Sequence, residues 1–581
     1  MSWLPTPLRL SAASCSLAAL AGAQVTSAPR VPVLSHAELT RELEQVVRGS
    51  EGVAALVNLG IARSGRRIDA LRIARGPEAA GRPGILVVGA LDVELAWTSA
   101  LVLDHAKTLL ARAATDEAAR ALLETTTLWL VPCANPEAAE RRSAAPRAQL
   151  AATGPGVDDD RDGRNGEDGP ADVDGDGVIG WMRVLDPRGE WVEDPADARV
   201  LVKADGTKGQ RGRWKLLLEA RDADGDGEAG EDPPDDVVVN RNFPQGWTEH
   251  AREAGRYATA EPEARALADF VVRHPEIALV VTYGLLDNLA EKPKSKDDAG
   301  RRSPNPAEGI PGADASLLAE IGRRWKALGG TSGKSDALDA GTFQAWIQAQ
   351  RGLWTVNLAP WSVPLDEKPR EQPAEAPDGA QPAQQPSGKP AAPRKDDEPK
   401  PSDDAKRLRW FDARPELAGF RPWTRIEHPD FEHVEVGGFA PFALHEPPPE
   451  TRAEIADRTF ALLSELALLL PRVEIAQARA TDLGAGLWRI DAVLVNERLL
   501  PLASALGRRT RSVRPARVAL ELSAGATLVA GPRQELVADL AGSGGRRELA
   551  WIVRTSSLDL VHVSVETDSA GSARVRPEVQ R

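Results

Sequence analysis

The stretch from Asp236 to Trp247, DVVVNRNFPQGW, holds the residues whose types and spacing speak most directly to chemistry. Its β-branched run reads as a strand that delivers Asn240 and Arg241 onto a loop closed by Pro244 and Gly246. A guanidinium presented in this way offers paired N–H donors in a fixed fork that matches a carboxylate, and the neighbouring Asn adds a further donor. The chemistry expected here is recognition of a carboxylate-bearing ligand.

A second constellation is acidic, and it repeats. Asp158, Asp160 and Asp162, followed by Gly163, recur as Asp222, Asp224 and Asp226, followed by Gly227, and Asp172, Asp174 and Asp176 precede Gly177 between them. Carboxylates at positions 1, 3 and 5 with Gly at 6 let a loop wrap its oxygens around a hard cation, so all three loops are expected to bind calcium. None carries the Glu of position 12, so flanking EF-hand helices are not expected. Trp181, Trp191 and Trp214 make the intervening segment an ordered one. The second copy runs directly into Val237-Val238-Val239-Asn240-Arg241, so an ion there would stiffen the loop that aims Arg241.

These residues need a scaffold, and 581 residues with 42% hydrophobic content supply more than one domain. Residues 1–23, with Arg9 ahead of the apolar run Leu10 to Ala23, read as a signal peptide cut before Gln24. The run is too short and too rich in small residues to span a bilayer, so a secreted, periplasmic or cell-envelope location is expected, with no membrane span. Past this segment the only cysteine is Cys133, which excludes an intrachain disulfide and reads as a small buried hydrophobe. A net charge of -14 argues against nucleic acid and anionic membranes as partners.

Residues 31–450 read as an α/β layered domain. Ser35 and Glu38 form a capping box for a helix over His36 to Arg48. Strands are expected at Ala54 to Ala62, Ile68 to Ala74, Gly84 to Ala90, Thr127 to Val131 and Ile277 to Val281, with helices at Leu95 to Ala114, Glu261 to Arg273 and Ala315 to Leu328. The acidic insertion spans 154–236, and Lys368 to Lys406 is a low-complexity solvated linker within the domain. Val434 to Phe439 reads as the closing segment of the same domain. Residues 466–581, rich in short alternating strands after an amphipathic helix, read as a β-sandwich.

The string Asn240-Arg241-Asn242-Phe243-Pro244 resembles the signature of the zinc carboxypeptidases of the carboxypeptidase A type. The resemblance implies a three-layer mixed-sheet fold, a peptide or protein C-terminus as partner, and Asn240 and Arg241 as its grip. It also implies zinc ligands at a His-x-x-Glu pair, where this chain has Leu91-Asp92-Val93-Glu94, so Glu94 is the zinc remnant. The third ligand, a His, falls on Thr282 or Gly284, and the general base, a Glu, on Asn357 or Ala359; Gln348 lies near the place of the family's Tyr. Leu and Gly cannot donate to a metal, and Asn cannot take a proton from water. The expectation is therefore a secreted carboxypeptidase-like protein without hydrolytic activity that binds peptide C-termini. One alternative is an active metallocarboxypeptidase with a metal site rebuilt from Asp92, Glu94 and Asp287. Another is a non-catalytic, calcium-stabilised structural protein of the cell envelope.

Overall fold

A computed structural model of the chain describes residues 33–76, 81–155, 163, 166, 168–223, 225, 227–230, 233, 237–249, 251–285, 287–289, 310–330, 340–365 and 400–580. The expected signal peptide lies outside the described residues, as do Asp158, Asp160, Asp162, Asp224 and Asp226 and residues 368–399 of the expected linker.

A six-stranded sheet carries the fold. Its strands are β1 (Ala54–Ile61), β2 (Arg67–Ile73), β3 (Gly84–Val88), β4 (Thr127–Val131), β5 (Ile277–Tyr283) and β6 (Trp354–Leu358), in the order β1-β2-β4-β3-β5-β6. β1, β2 and β4 pair antiparallel, whereas β4, β3, β5 and β6 run parallel, so the sheet is mixed. All of β3 is buried because helices cover both faces, and its residues alternate between two cores: Ile85 and Val87 on one side, Leu86 and Val88 on the other. The first face is covered by helices His36–Gly49, Thr98–Thr115, Gly312–Ala327 and Arg452–Leu469 through Leu43, Leu101, Ile321 and Leu466. The second is covered by Pro262–Arg273 and the short helix Phe343–Trp346. Three layers result, with the expected capping box intact at Ser35 and Glu38. Cys133 is buried, and burial pushes its thiol up to about 12.

The insertion is more than a set of acidic loops. Trp181–Leu185, Trp191–Asp194, Asp197–Lys203 and Trp214–Leu218 join Phe420–Ile426 and Val434–Phe439 in a second, antiparallel six-stranded sheet. Val434 to Phe439 lies between Phe420–Ile426 and Trp181–Leu185 in this sheet, and its Val434 and Val436 pack with Met182 and Val184. Arg183 stacks between Trp214 and Trp423, at 4.5 and 4.6 Å from the ring centres.

The end of the expected linker is also corrected. Helix Asp403–Asp412 begins inside it, with the Ser402 side chain accepting from Ala405 N and with Ala405, Leu408, Trp410 and Phe411 buried. Apolar positions three apart outweigh the charged and Pro-rich composition around them. At the other end of the chain, helix Arg452–Leu469 packs its last turn into the α/β core, and the first strand of the following region begins at Val473. There a five-stranded and a four-stranded sheet face each other across Ile490, Leu494, Trp551 and Val553 on one side and Val518, Leu520, Val563 and Val565 on the other.

Leu408→Ala should lower unfolding free energy by about 2–5 kcal/mol, the cost of emptying a packed Leu site, whereas a solvated linker position would change it by almost nothing. Denaturant titration of the two proteins decides between these.

Candidate functional site

The strand order reverses around β3, which has β4 on one side and β5 on the other, and this is where open α/β sheets bind ligands, beyond the carboxyl ends of the strands. After β3 the chain turns through Ala90, which has a positive φ of 46°, into the one-turn 3-10 helix Val93–Leu95. Asp92 stands at the N-cap of that turn yet makes no cap hydrogen bond. Its carboxylate instead joins two later segments of the chain: Oδ1 accepts from Asn240 Nδ2 at 2.8 Å and Oδ2 from Leu285 N at 3.4 Å.

Asn240 is a bridge. Its Nδ2 holds Asp92 and its Oδ1 accepts from Phe343 N at 3.0 Å, joining the exit of β3 to the start of helix Phe343–Trp346. The expected strand ahead of it does not form at Val237 and Val238. The Val237 carbonyl accepts from Thr153 N and Gly154 N, and Val238 N donates to Glu253 O, so loops on either side take the bonds a ladder would need. Val239–Arg241 is a 3-10 turn, and it is the turn, not a strand end, that sets the direction of Arg241. The Arg241 side chain remains 36% exposed, with Nη1 3.4 Å from Ala340 O and Nε 3.9 Å from Glu253. Asn242 is buried and pins the following loop, donating to Ala254 O and Tyr257 O and accepting from Glu261 N. Phe243 is packed against Phe343 and Trp346.

The two registers left open at the end of β5 separate here. Thr282 is fully buried and stands beside Asn357 in the strand ladder, while Gly284, also buried, follows the end of β5 and faces Asp92 and Gln344. A Cβ on Gly284 would lie 3.1 Å from both Asp92 Oδ2 and Gln344 Nε2, so Asp92 and Gln344 crowd the space into which a side chain at position 284 would extend. Leu91 is buried among the apolar residues of the second core. Asn357 is buried, its backbone N donating to Asn288 Oδ1, and Asp287 accepts from Leu289 N. Gln348 is buried in the π turn Ile347–Arg351 that follows the short helix. Among the described residues this cleft brings together no three His, Cys, Asp or Glu side chains close enough to share an ion.

Glu94 is partly buried and its carboxyl is pushed up to about 7, first by burial and then by the charge of Asp92. Burial also raises Asp92, against the hydrogen bonds from Asn240 and Leu285. Arg142, wholly buried and paired with Glu446 behind the cleft, partly offsets the rise at Glu94. Neither Asp92's bridging role nor Gln344 was legible from spacing: one is a long-range contact, and the other is a lone Gln on a helix with no pattern around it.

Of the acidic loops, the one described throughout runs from Asp172 to Gly177. Asp172 accepts from the backbone N of Gly175, Asp176 and Gly177, and ligand atoms of Asp172, Asp174 and Asp176 all lie within 4.8 Å of one another. Arg421 pairs with Asp176 and lies 3.5 Å from Asp174. Asp222 repeats the turn, accepting from Gly225 N and Gly227 N.

Residues 39–169, which include Asp92 and Glu94, match the model of the zinc carboxypeptidase family, and residues 472–578 match a domain of unknown function (DUF8731). Over residues 39–169, which include strands β1 to β4 of the mixed sheet, the chain is similar to the zinc carboxypeptidases. Asn240, Arg241, Gly284 and Asn357 lie beyond the matched residues. No curated protein matches the chain. Among solved structures it is similar to thrombin activatable fibrinolysis inhibitor, at 11% identity over 76% of this chain and 77% of that one, with a TM-score of 0.37. It is similar to carboxypeptidase A from Helicoverpa armigera at 15% identity over 56% and 64%, with a TM-score of 0.32. The metallo-carboxypeptidase from Burkholderia cenocepacia gives 14% identity over 57% and 61%, with a TM-score of 0.27. At these scores the likenesses carry no argument about the site.

A carboxyl raised from its unfolded value of 4.5 to about 7 stabilises the fold only while protonated: its contribution is complete below pH 4.5 and is lost as pH rises through 7. Glu94→Gln should therefore be more stable than wild type at pH 8, by about 1–3 kcal/mol, with the gain gone at pH 4. Melting curves at the two pH values check this, and a pH-independent difference would contradict it.

Proposed function

We propose that this is a secreted, carboxypeptidase-like protein that does not hydrolyse peptides and binds their free C-termini, with Arg241 as the grip. The observation that carries the reading is the Asp92–Asn240 pair beside Gly284, because it fills with an internal hydrogen bond the place where the family's chemistry calls for a metal. The donor set of this cleft does not fit zinc. Leu91 has no ligating side-chain atom and Gly284 has no side chain, and Glu94 with Asp92, whose oxygens are engaged by Asn240 and Leu285, gives too few bonds for a structural or catalytic ion. Asn357 has no proton-accepting group of useful basicity, and Ala359 has none.

Carboxylate recognition needs none of these. The Arg241 guanidinium, about one-third exposed on a turn fixed by Asn240 and Asn242, can fork onto two carboxylate oxygens. Asn240 keeps that turn in register with β3 and spends one amide N–H on Asp92. Truncation in Arg241→Ala removes a charge-assisted pair worth about 1.5–3 kcal/mol, a tenfold to hundredfold loss of affinity. Titration of wild type and variant with peptides ending in free acids, and with the same peptides amidated, tests this. Wild type should prefer the acids and Arg241→Ala should not; equal affinity of wild type for acid and amide would remove the reading.

The acidic loops complete the proposal as calcium sites at Asp158/Asp160/Asp162, Asp172/Asp174/Asp176 and Asp222/Asp224/Asp226. The closeness of three carboxylates at Asp172, Asp174 and Asp176 supports it, since such groups repel unless a cation lies among them. Arg421 supplies part of that positive charge already. Millimolar calcium should raise the melting temperature by several degrees and chelator should reverse it, with Asp172→Ala blunting the response. An identical melting temperature with calcium and with chelator would end the idea.

A further inference from the structure

The C-terminal β-sandwich touches the α/β domain at a point that matters to the cleft. Asp314, buried near the start of helix Gly312–Ala327, accepts from Ala505 N at 2.8 Å and Leu506 N at 3.1 Å, the first residues of the six-residue helix Ala505–Thr510 of the sandwich region. Ser504, which caps that helix, donates through Oγ to the Gly352 carbonyl at 2.7 Å. The two backbones meet so closely that a Cβ on Gly352 would fall 2.2 Å from Gly507 Cα, and Gly352 also has a left-handed φ of 62°. Both facts require glycine there.

Gly352 closes the π turn Ile347–Arg351, and that turn continues helix Phe343–Trp346. At its other end the same segment clasps the binding turn. Phe343 N donates to Asn240 Oδ1, Phe243 N donates to Gly341 O at 2.7 Å, and Gly341 sits so tightly on Arg241 that a Cβ there would be 2.2 Å from the Arg241 carbonyl. One continuous segment, Gly341 to Gly352, is thus held by the sandwich at one end and holds Asn240 and Arg241 at the other. The segment is buried from Gly341 to Ala349 and again at Gly352, with only Gln350 and Arg351 reaching solvent, so a shift at one end is passed along packed backbone to the other.

We infer that the β-sandwich is a positioning element of the cleft, acting from Asp314 and Ser504 through the Gly341–Gly352 segment to set the turn that carries Arg241. Asp314 is then a positioning residue, remote from any ligand. The inference rests on the reading of Arg241 as the carboxylate grip, and its test separates the two. Hydrogen–deuterium exchange on the full chain reads the segment directly, and titration with one acid peptide and its amide reads the consequence. In Asp314→Ala, exchange should quicken both at Ser504–Gly507 and over Gly341–Gly352, with β3 unchanged. Affinity for the acid peptide should fall about three- to tenfold with the amide unaffected. Asp314→Asn, which keeps one acceptor, should fall between the two. Faster exchange at Ser504–Gly507 with unchanged exchange over Gly341–Gly352 would overturn the inference, as would an unchanged acid-to-amide ratio in a wild type that discriminates. If wild type does not discriminate, the reading of Arg241 falls, and the exchange data still decide the coupling. If Asp314→Ala does not fold, Ser504→Ala, which removes the bond to Gly352 together with the cap on Gly507 N and leaves Asp314 in place, is read in the same way.

Discussion

The hydrogen bond between Asp92 and Asn240 is the contact on which the cleft depends. It joins the residue that leaves the central strand to the turn that carries Arg241, and Asn240 passes the connection on to Phe343. Both groups are buried, and a buried carboxylate left without its donor costs far more than an ordinary hydrogen bond gains. The pair constrains its neighbours: a Cβ at position 284 would press on Asp92 Oδ2 at 3.1 Å, and Glu94, raised first by its own burial and then by the charge of Asp92, holds its proton up to about pH 7. A cleft so arranged is organised by polar contacts within the protein.

The surrounding architecture serves that arrangement at two distances. Nearby, Asn242 and Phe243 fix the loop beyond the turn, one through three hydrogen bonds and the other through aromatic packing. Farther away, the second sheet and the sandwich enclose the three-layer domain at separate places. The insertion strands draw Phe420–Ile426 and Val434–Phe439 onto themselves, so a segment distant in sequence becomes part of the insertion's own sheet. Its Asp172 loop, cross-linked to Phe420–Ile426 through Arg421, ties the acidic repeat to that sheet's edge.

Much of the fold was legible in the sequence because it rests on local signals. Helix His36–Gly49 carries its own capping box, β3 is an unbroken apolar run, and the alternation of strands and helices through Val131 leaves few other layered arrangements. The site was legible where a string of adjacent residues carried it, as at Asn240-Arg241-Asn242-Phe243-Pro244, and not where the chemistry is made by contacts between distant residues. Asp92 meets Asn240 across 148 positions, and nothing around Asp92 in sequence points there. Val237 and Val238 have the residue types of a strand, but their backbone bonds go to Thr153, Gly154 and Glu253, which only the folded chain brings near. The helix at Asp403–Asp412 was hidden for a related reason: its buried positions Ala405, Leu408 and Phe411 are few and diluted by charge, and it is the second sheet and the α/β core, not its own propensity, that make it worth folding.

In the proposed reading, the Asp92–Asn240 bond takes the place of a zinc ion. A crystal structure of the full chain grown with excess zinc, with diffraction measured across the zinc absorption edge, tests it most directly. The account predicts no anomalous peak among Asp92, Glu94 and Gly284 and an Asp92 Oδ1 to Asn240 Nδ2 contact close to 2.8 Å. A zinc peak bound to Glu94, with Asn240 displaced from Asp92, would contradict it and return the cleft to metal chemistry.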